Sequence, residues 1–417
     1  MNNDSKITGK LKEQIAKYAD SLSMNMKKPA KKFIRQIVFG IQAAKDVKLS
    51  NISRSLKEEI ALIKTENRLA RNLSKTDLTE EISKSLLKRA GKRVGKETVL
   101  SLDLSDIRKE YAKSMEHLAL VRDGSTGEVG SPGYWLCSVF GAEVKGEELI
   151  PLYQELYSQK ADGFESENVQ IIKAIEAVSE STGNKGIWTI DRGGDRKKLY
   201  EYLFDKELDF CIRLNSKRDI IIKDKTQNVL RAAQKFECKE EIGITVNRDG
   251  QEEEKTVFAG SGMIQLPFNP EKPLKMVVIK GFGEEPLMIA TSLLDKKDEE
   301  ILEIYLTRWK CEESFRFMKQ SYKLEDVRVR SYIGLRNLIC LVLAVFYFVS
   351  IELGRKLRLS ILFKKIYAKA KRFFQMPSFK HYAIADGIYS LLFAGLKGID
   401  NLALKFAPQE LTLSLPF

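Results

Sequence analysis

The stretch LICLVLAVFYFVSIEL, residues 338–353, carries a single charge, Glu352. A helix that is apolar on every side has to be surrounded, by lipid or by the rest of the protein. The run is shorter than the roughly 20 residues that cross a bilayer, and Arg336 stands just before it. We therefore expect a core helix wrapped by other elements, and no membrane partner. The 417 residues suffice for that wrapping, in about two to four domains. Five cysteines (Cys137, Cys211, Cys238, Cys311, Cys340) form no zinc-ligand spacing and no C-x-x-C pair, and there are two histidines. They read as small buried hydrophobes in a reducing compartment. Polar residues follow Met1, so no signal peptide is visible and a cytoplasmic location is expected.

Charge is segregated along the chain. Residues 1–98 carry a net +12, residues 99–300 a net −9 and residues 301–417 a net +10, for +13 in all. Basic ends flanking an acidic middle suit a polyanion gripped outside and processed in the centre. DNA is the expected partner.

Residues 1–97 read as helices without a strand signal, LKEQIAKYADSL and KKFIRQIVFGIQAA among them. KTDLTEEISKSLLKRA begins with Thr76 or Asp77 as a cap, and NISRS (51–55) reads as a loop between helices, as in a helix-turn-helix. With the local charge, this is expected to be a DNA-binding domain. The character changes at residue 98. TVLSLDLSDI is a short strand, and ALVRDGSTGEVGSPGYWLCSVFGAEV gives two more around a Gly-rich turn. NVQIIKAIEAVSES is a helix, GIWTIDRGGD a strand ending in an acid, RKKLYEYLFDKE a helix and LDFCIRLNS a strand. Residues 98–216 thus give three strands, helix, strand, helix, strand, an α/β core with a mixed sheet and flanking helices. Residues 217–295 are a β-rich insertion with turns at Asn247–Gly250 and Gly281–Gly283. Residues 296–350 return to the core, and residues 351–417 form a basic helical C-terminal region.

YLTRWKCEESFRFMK (305–319), read as one helix, places Tyr305, Arg308, Glu312, Arg316, Lys319 and Lys323 on one face. Ile304, Cys311, Phe315 and Met318 fall opposite, and Glu313 lies off the axis of the stripe. Such a stripe is either a solvated ladder of ion pairs or a basic face holding one chosen acid. Two other acids stand out by position, Asp103 at the end of the first strand and Asp191 at the end of the fourth. Each alone has an ordinary reading: Asp103 or Asp106 as a strand-end acid, Asp191 in a Gly turn with Asp195 capping the next helix. Strands one and four can lie side by side, which brings the two acids together. Carboxylates packed together repel, and hard divalent cations with oxygen ligands relieve that conflict. Two ions roughly 3.5–4 Å apart serve in-line phosphoryl transfer.

At this point the sequence resembles a family. Y-x2-R-x3-E-x6-K, standing here as Tyr305, Arg308, Glu312 and Lys319, is similar to the signature of DDE transposases of insertion-sequence family four. LDLSDIRK around Asp103, IDRGGD around Asp191 and the β insertion before the Glu helix extend the resemblance over roughly residues 98–350. It implies a ribonuclease-H-like catalytic domain with Asp103, Asp191 and Glu312 as catalytic, metal-binding triad. It implies Mg²⁺, two ions with Mn²⁺ able to substitute. Tyr305, Arg308 and Lys319 are implied to contact phosphates of the transposon end, with Arg316, Lys323 and Arg192 expected beside them. The chain departs from the family at Gly194, where relatives often carry a bulkier residue. Trp135, Trp188 and Trp309 all lie outside the insertion, where base-flipping relatives carry a Trp. Phe236, Phe258, Phe268 and Phe282 are the insertion's aromatics, able to stack on such a base instead but expected mostly in the insertion's own core.

The function so implied is cut-and-paste transposition: cleavage at terminal inverted repeats, then attack of the 3′-hydroxyl on target DNA, by a homodimer or larger synaptic assembly. Within the family the second strand is often cut through a hairpin. The alternatives are a nuclease or resolvase on the same fold, and a non-catalytic DNA-binding regulator derived from a transposase.

Overall fold

The computed structural model of the chain describes residues 3–122, 129–248, 251–368, 380–394 and 398–399. Five helices open it: α1 (Asn3–Leu22), α2 (Lys28–Ala44), α3 (Leu49–Leu56), α4 (Leu62–Lys75) and α5 (Thr79–Ala90). Pro29 sits in the first turn of α2, where its missing N–H costs no hydrogen bond, and Lys45 ends that helix in the left-handed region. NISRS is not a loop. It lies inside α3, which packs onto α2 where Gly40 leaves room: a Cβ there would stand 2.4 Å from Ile52 Cγ2. Nor does Thr76 or Asp77 cap α5 as N-cap. That position is Leu78, although Asp77 Oδ1 accepts from Thr79 N at 2.9 Å.

The strands and their connecting helices follow: β1 (Val99–Arg108), β2 (Ala119–Arg122), β3 (Val129–Ala142), β4 (Leu149–Tyr157), α6 (Glu167–Thr182), β5 (Ile187–Ile190), α7 (Lys197–Asp205) and β6 (Phe210–Arg213). Then come β7 (Asp219–Ile222), β8 (Lys225–Asn228), α8 (Val229–Lys235), β9 (Glu240–Arg248), β10 (Gln251–Leu266), β11 (Asn269–Lys280) and β12 (Leu287–Thr291). Ser166 caps α6 by accepting from Val169 N at 3.3 Å, and Gly183 closes it at φ +63°. The core strands lie in the order β4-β3-β1-β5-β6, antiparallel from β4 to β1 and parallel from β1 to β6. Strand β4 goes beyond the sequence reading, which has three strands before the first helix. The β-rich segment does not stand apart. β12 pairs antiparallel with β6, Ile289 opposite Arg213, and β11, β10 and β9 prolong the same sheet. The Gly-rich turn between β2 and β3, residues 249–250 of the expected Asn247–Gly250 turn, and residues 400–417 lie outside the described residues.

The last elements are α9 (Asp298–Thr307), α10 (Trp309–Ser321), α11 (Tyr332–Tyr347), α12 (Arg355–Ala368) and α13 (His381–Ala394). A π turn over Phe348–Glu352 extends α11, so the apolar helix is longer than its sequence run. Residues 332–352 form the one helix among the described residues long and apolar enough to cross a membrane, and 89 % of its apolar window is buried inside the protein. The wrapping comes from both ends of the chain. Helices α2, α4 and α5 pack on α11, and α13 packs on α2 and the π turn. Tyr18 donates its hydroxyl to Ala344 O at 2.8 Å. Buried Asn337 donates to Leu73 O and Thr76 O, 2.8 Å each, and accepts from Leu78 N at 2.7 Å. The N-terminal helices therefore share one hydrophobic core with α11 and the sheet.

Candidate active site

Side-chain alternation decides which residues of β1 and β5 meet. The two strands run parallel, with Ser101 opposite Thr189 and Leu102 opposite Ile190 as the last pair. Ser101 Oγ and Thr189 Oγ1, both buried, lie 3.1 Å apart. Asp103 and Asp191 stand two residues further along, on that same face, just past the end of the pairing. Asp103 is not at the end of its strand as expected. β1 runs on to Arg108 beside β3, and only its pairing with β5 stops. It stops because the chain turns at Asp191, whose Oδ1 accepts from Gly193 N at 2.8 Å to open a 3-10 turn over Arg192–Gly194. Gly194 is pressed onto the strand: a Cβ there would be 2.3 Å from Ile190 Cγ2, so this turn has no space for a bulkier residue. Asp195 does not cap α7; it is buried and binds Arg218 Nε at 3.0 Å.

Glu312 arrives from the other side. The expected single helix from Tyr305 breaks at Arg308, which ends α9 and begins α10. Its N–H donates to Tyr305 O at 3.1 Å and its carbonyl accepts from Cys311 N at 2.9 Å, two tight i→i−3 bonds. The break has a packing cause. Ile301, Leu302, Ile304 and Tyr305 of α9 sink into the cluster over β10–β12, while Cys311, Phe315 and Met318 of α10 sink into the main core. Tyr305 and Arg308 are consequently buried rather than part of an open stripe. Arg308, its side chain 9 % exposed, lies over the Tyr305 ring at 5.8 Å. It donates through Nη2 to Glu312 Oε1 at 2.7 Å and has Nη1 3.6 Å from Asp103 Oδ2. One guanidinium thus joins the Glu helix to the first Asp.

The electrostatics follow from this geometry. Burial pushes the Asp103 carboxyl up to about 7, Arg308 opposing the rise and Asp191 and Glu312 adding to it. Burial works against the charge of Arg308, but Tyr305, Asp103, Glu312 and Asp191 outweigh it and hold the guanidinium above its ordinary range. Three carboxylates sharing one cation are the oxygen donor set that a hard divalent ion takes, so the residues fit such an ion by chemistry. They do not already enclose one. Among the described residues no three His, Cys, Asp or Glu side chains gather as a metal site, and Glu312 is engaged with Arg308.

The other basic residues of the expected stripe separate. Arg316 is exposed and pairs with Glu313, and Arg192 is exposed beside Asp191. Lys319 lies 3.1 Å from Glu325 and 3.7 Å from Asp106. Lys323 is not on the helix. It follows the end of α10 at φ +52° and faces buried Asp46 at 3.4 Å. Of the insertion's aromatics, Phe236 and Phe268 pack against the main core and Phe282 against Trp309, while Phe258 is 43 % exposed. Sequence reasoning missed Lys109. Buried at the end of β1, it donates to Glu325 O and, at 2.8 Å, to Val327 O, tying the Asp103 strand to the segment after α10. No local pattern flags it, since its acceptors are backbone carbonyls more than 200 residues away.

Comparison with known proteins adds the following. Residues 154–348 match the family model described as "Transposase DDE domain". That span holds Asp191 and Glu312 and begins after Asp103. No curated protein matches the chain. A solved structure to which it is similar is the cryo-EM piggyBac transposase synaptic complex with hairpin DNA, at 10 % identity and a TM-score of 0.44, covering 94 % of this chain and 81 % of that one. The family match over residues 154–348 supports a DDE transposase.

Proposed function

We propose that the chain is a DNA transposase that cleaves transposon ends with divalent cations and transfers the freed 3′-hydroxyl into target DNA. The observation that supports this reading is that Asp103 and Asp191 stand on one face just past the last β1–β5 pair, with buried Arg308 joining Asp103 to Glu312 of α10. The strand order β4-β3-β1-β5-β6 supports a ribonuclease-H-like core. DDE transposases depend on divalent metal, here read as Mg²⁺ held by Asp103, Asp191 and Glu312. When bound, such ions supply charge neutralisation and Lewis acidity for in-line displacement at a phosphodiester.

The chain's own residues do the positioning. The β1–β5 register fixes the two aspartates, and the break at Arg308 brings Glu312 toward them. Arg192 and Arg316, exposed near the acids, are suited to phosphate contacts that place the DNA without reading bases. Lys319 and Lys323 join them on giving up Glu325 and Asp46. The net +12 of residues 1–98 extends the polyanion surface over the N-terminal helices, and concerted cleavage of two ends calls for a dimer or larger assembly. The test supplies the full chain with Mg²⁺ or Mn²⁺, pre-cleaved 3′-hydroxyl ends and a target plasmid. Joined products support the transposase; strand cutting without joining would favour a nuclease or resolvase.

A further inference from the structure

Arg308 sits where two functions compete for one carboxylate. Its side chain is almost fully buried, Nη2 holds Glu312 at 2.7 Å, and Nη1 reaches toward Asp103 at 3.6 Å. Glu312 itself is 48 % exposed, in the first turn of α10, so its carboxylate has room to swing. Arg308 Nε is buried without an acceptor, so the guanidinium is not held at every one of its donors. Nor are the three acids gathered close enough for a metal site among the described residues.

We propose that Arg308 is a resident counter-cation that holds Glu312 off the aspartate pair until metal and DNA arrive. Resting on the reading of Asp103, Asp191 and Glu312 as a metal triad, it makes Arg308 a positioning residue that couples metal loading to DNA binding. Without DNA, the guanidinium neutralises the acids and competes with the cation for Glu312. A DNA phosphate offers it another anion, and Glu312 is released toward Asp103 and Asp191. The break at Arg308 supplies the local freedom, because the first turn of α10 is not held by a continuous α-helical ladder.

The test measures Mn²⁺ affinity of the full chain by paramagnetic resonance titration, without DNA and then with a short duplex. Without DNA, Arg308→Gln binds Mn²⁺ about tenfold tighter than the unaltered chain, as expected on removing one charge-assisted competitor. Arg308→Lys, which keeps the charge but cannot bridge two acids, falls between them and serves if the Gln variant does not fold. In the Glu312→Gln background the Arg308 change gains nothing. Adding duplex tightens Mn²⁺ binding to the unaltered chain and narrows its gap to Arg308→Gln. Equal or weaker Mn²⁺ binding by both Arg308 variants would overturn the competition, and no effect of duplex would overturn the coupling. If Asp103→Asn abolishes Mn²⁺ binding while the Arg308 variants leave it unchanged, only the counter-cation role fails. If no variant alters Mn²⁺ binding, the triad reading fails with it.

Discussion

The two ends of the core sheet carry opposite solutions to the same problem of packing charge. At the amino end of β1 a groove is lined by Gly95–Thr98, Glu143–Lys145 and residues of the α9 approach. Most of its charges pair off: Lys145 with Glu303 at 3.0 Å, Lys296 with Glu97 at 2.8 Å and with Glu300 at 3.7 Å. Past the last β1–β5 pair, Asp103, Asp191 and Glu312 face one guanidinium, and the Asp103 carboxyl is driven to about 7 by burial and its neighbours. Balanced pairs at a surface are worth little and mark nothing. An excess of one sign around a half-buried carboxylate such as Asp103 costs stability and persists where function needs it. The contrast, more than any single residue, is what favours reading the chemistry at Asp103, Asp191 and Glu312.

The sharpest way to break that contrast is Asp103→Asn. Strand cleavage is lost, yet the metal-free protein melts higher, since Asn removes a half-buried charge that the fold disfavours. The sign is fixed by linkage. The folded-state pKa lies above that of the unfolded chain, so the native state binds the extra proton and the penalty grows as pH rises from about 4 to about 7. Thermal melts in chelator therefore show the gain at pH 8, at most about 4 kcal/mol, shrinking toward pH 4. A variant that melts lower at every pH contradicts the account.

Next in size is a paired test of lysines at the two ends. Lys319→Ala weakens DNA binding and lowers the slope of log K against log salt by about one unit, as one lost phosphate contact should. Lys296→Ala leaves that slope alone and shifts stability by no more than about 1 kcal/mol. Equal slopes for both variants erase the distinction between the ends.

Much of this was legible in the sequence, and what was not has physical reasons. The core strands β1, β5 and β6, helix α6 and the wrapped apolar helix follow from local pattern. Strand β4 was hidden because eight of its nine residues are buried, which removes the alternation that announces a strand. Its Pro151 and Gln154 read against a strand as well. The break at Arg308 carries no Gly or Pro; it arises because α9 and α10 pack into different clusters, which no single-helix pattern encodes. The same break turns Tyr305 and Arg308 inward. Apolar stripes on α2 and α5 announced burial but not its partner, α11, whose Asn337 lies more than 250 residues from Leu73 and Leu78.

The smallest expected effect concerns Lys109, whose ammonium burial pushes down to about 8 while Glu325 and Asp326 oppose the shift. Here the unfolded chain holds the extra proton, so stability rises with pH between about 8 and 10.5. Lys109→Met lacks that rise. Denaturation at pH 8 and pH 10 checks it, and parallel curves for the two proteins would remove Lys109 from the link between the Asp103 strand and α10.

The central claim is that Glu312, and not its neighbour, completes the catalytic triad. Glu313 is occupied by Arg316 on the outer side of α10, whereas Glu312 meets the guanidinium that reaches Asp103. A labelled-end cleavage gel with Mg²⁺ compares Glu312→Gln and Glu313→Gln side by side, each checked for DNA binding. The account predicts that Glu312→Gln binds DNA at least as tightly as the unaltered chain and cuts almost none of it, while Glu313→Gln cuts normally. Full cleavage by Glu312→Gln, or loss of cleavage in Glu313→Gln alone, would contradict it.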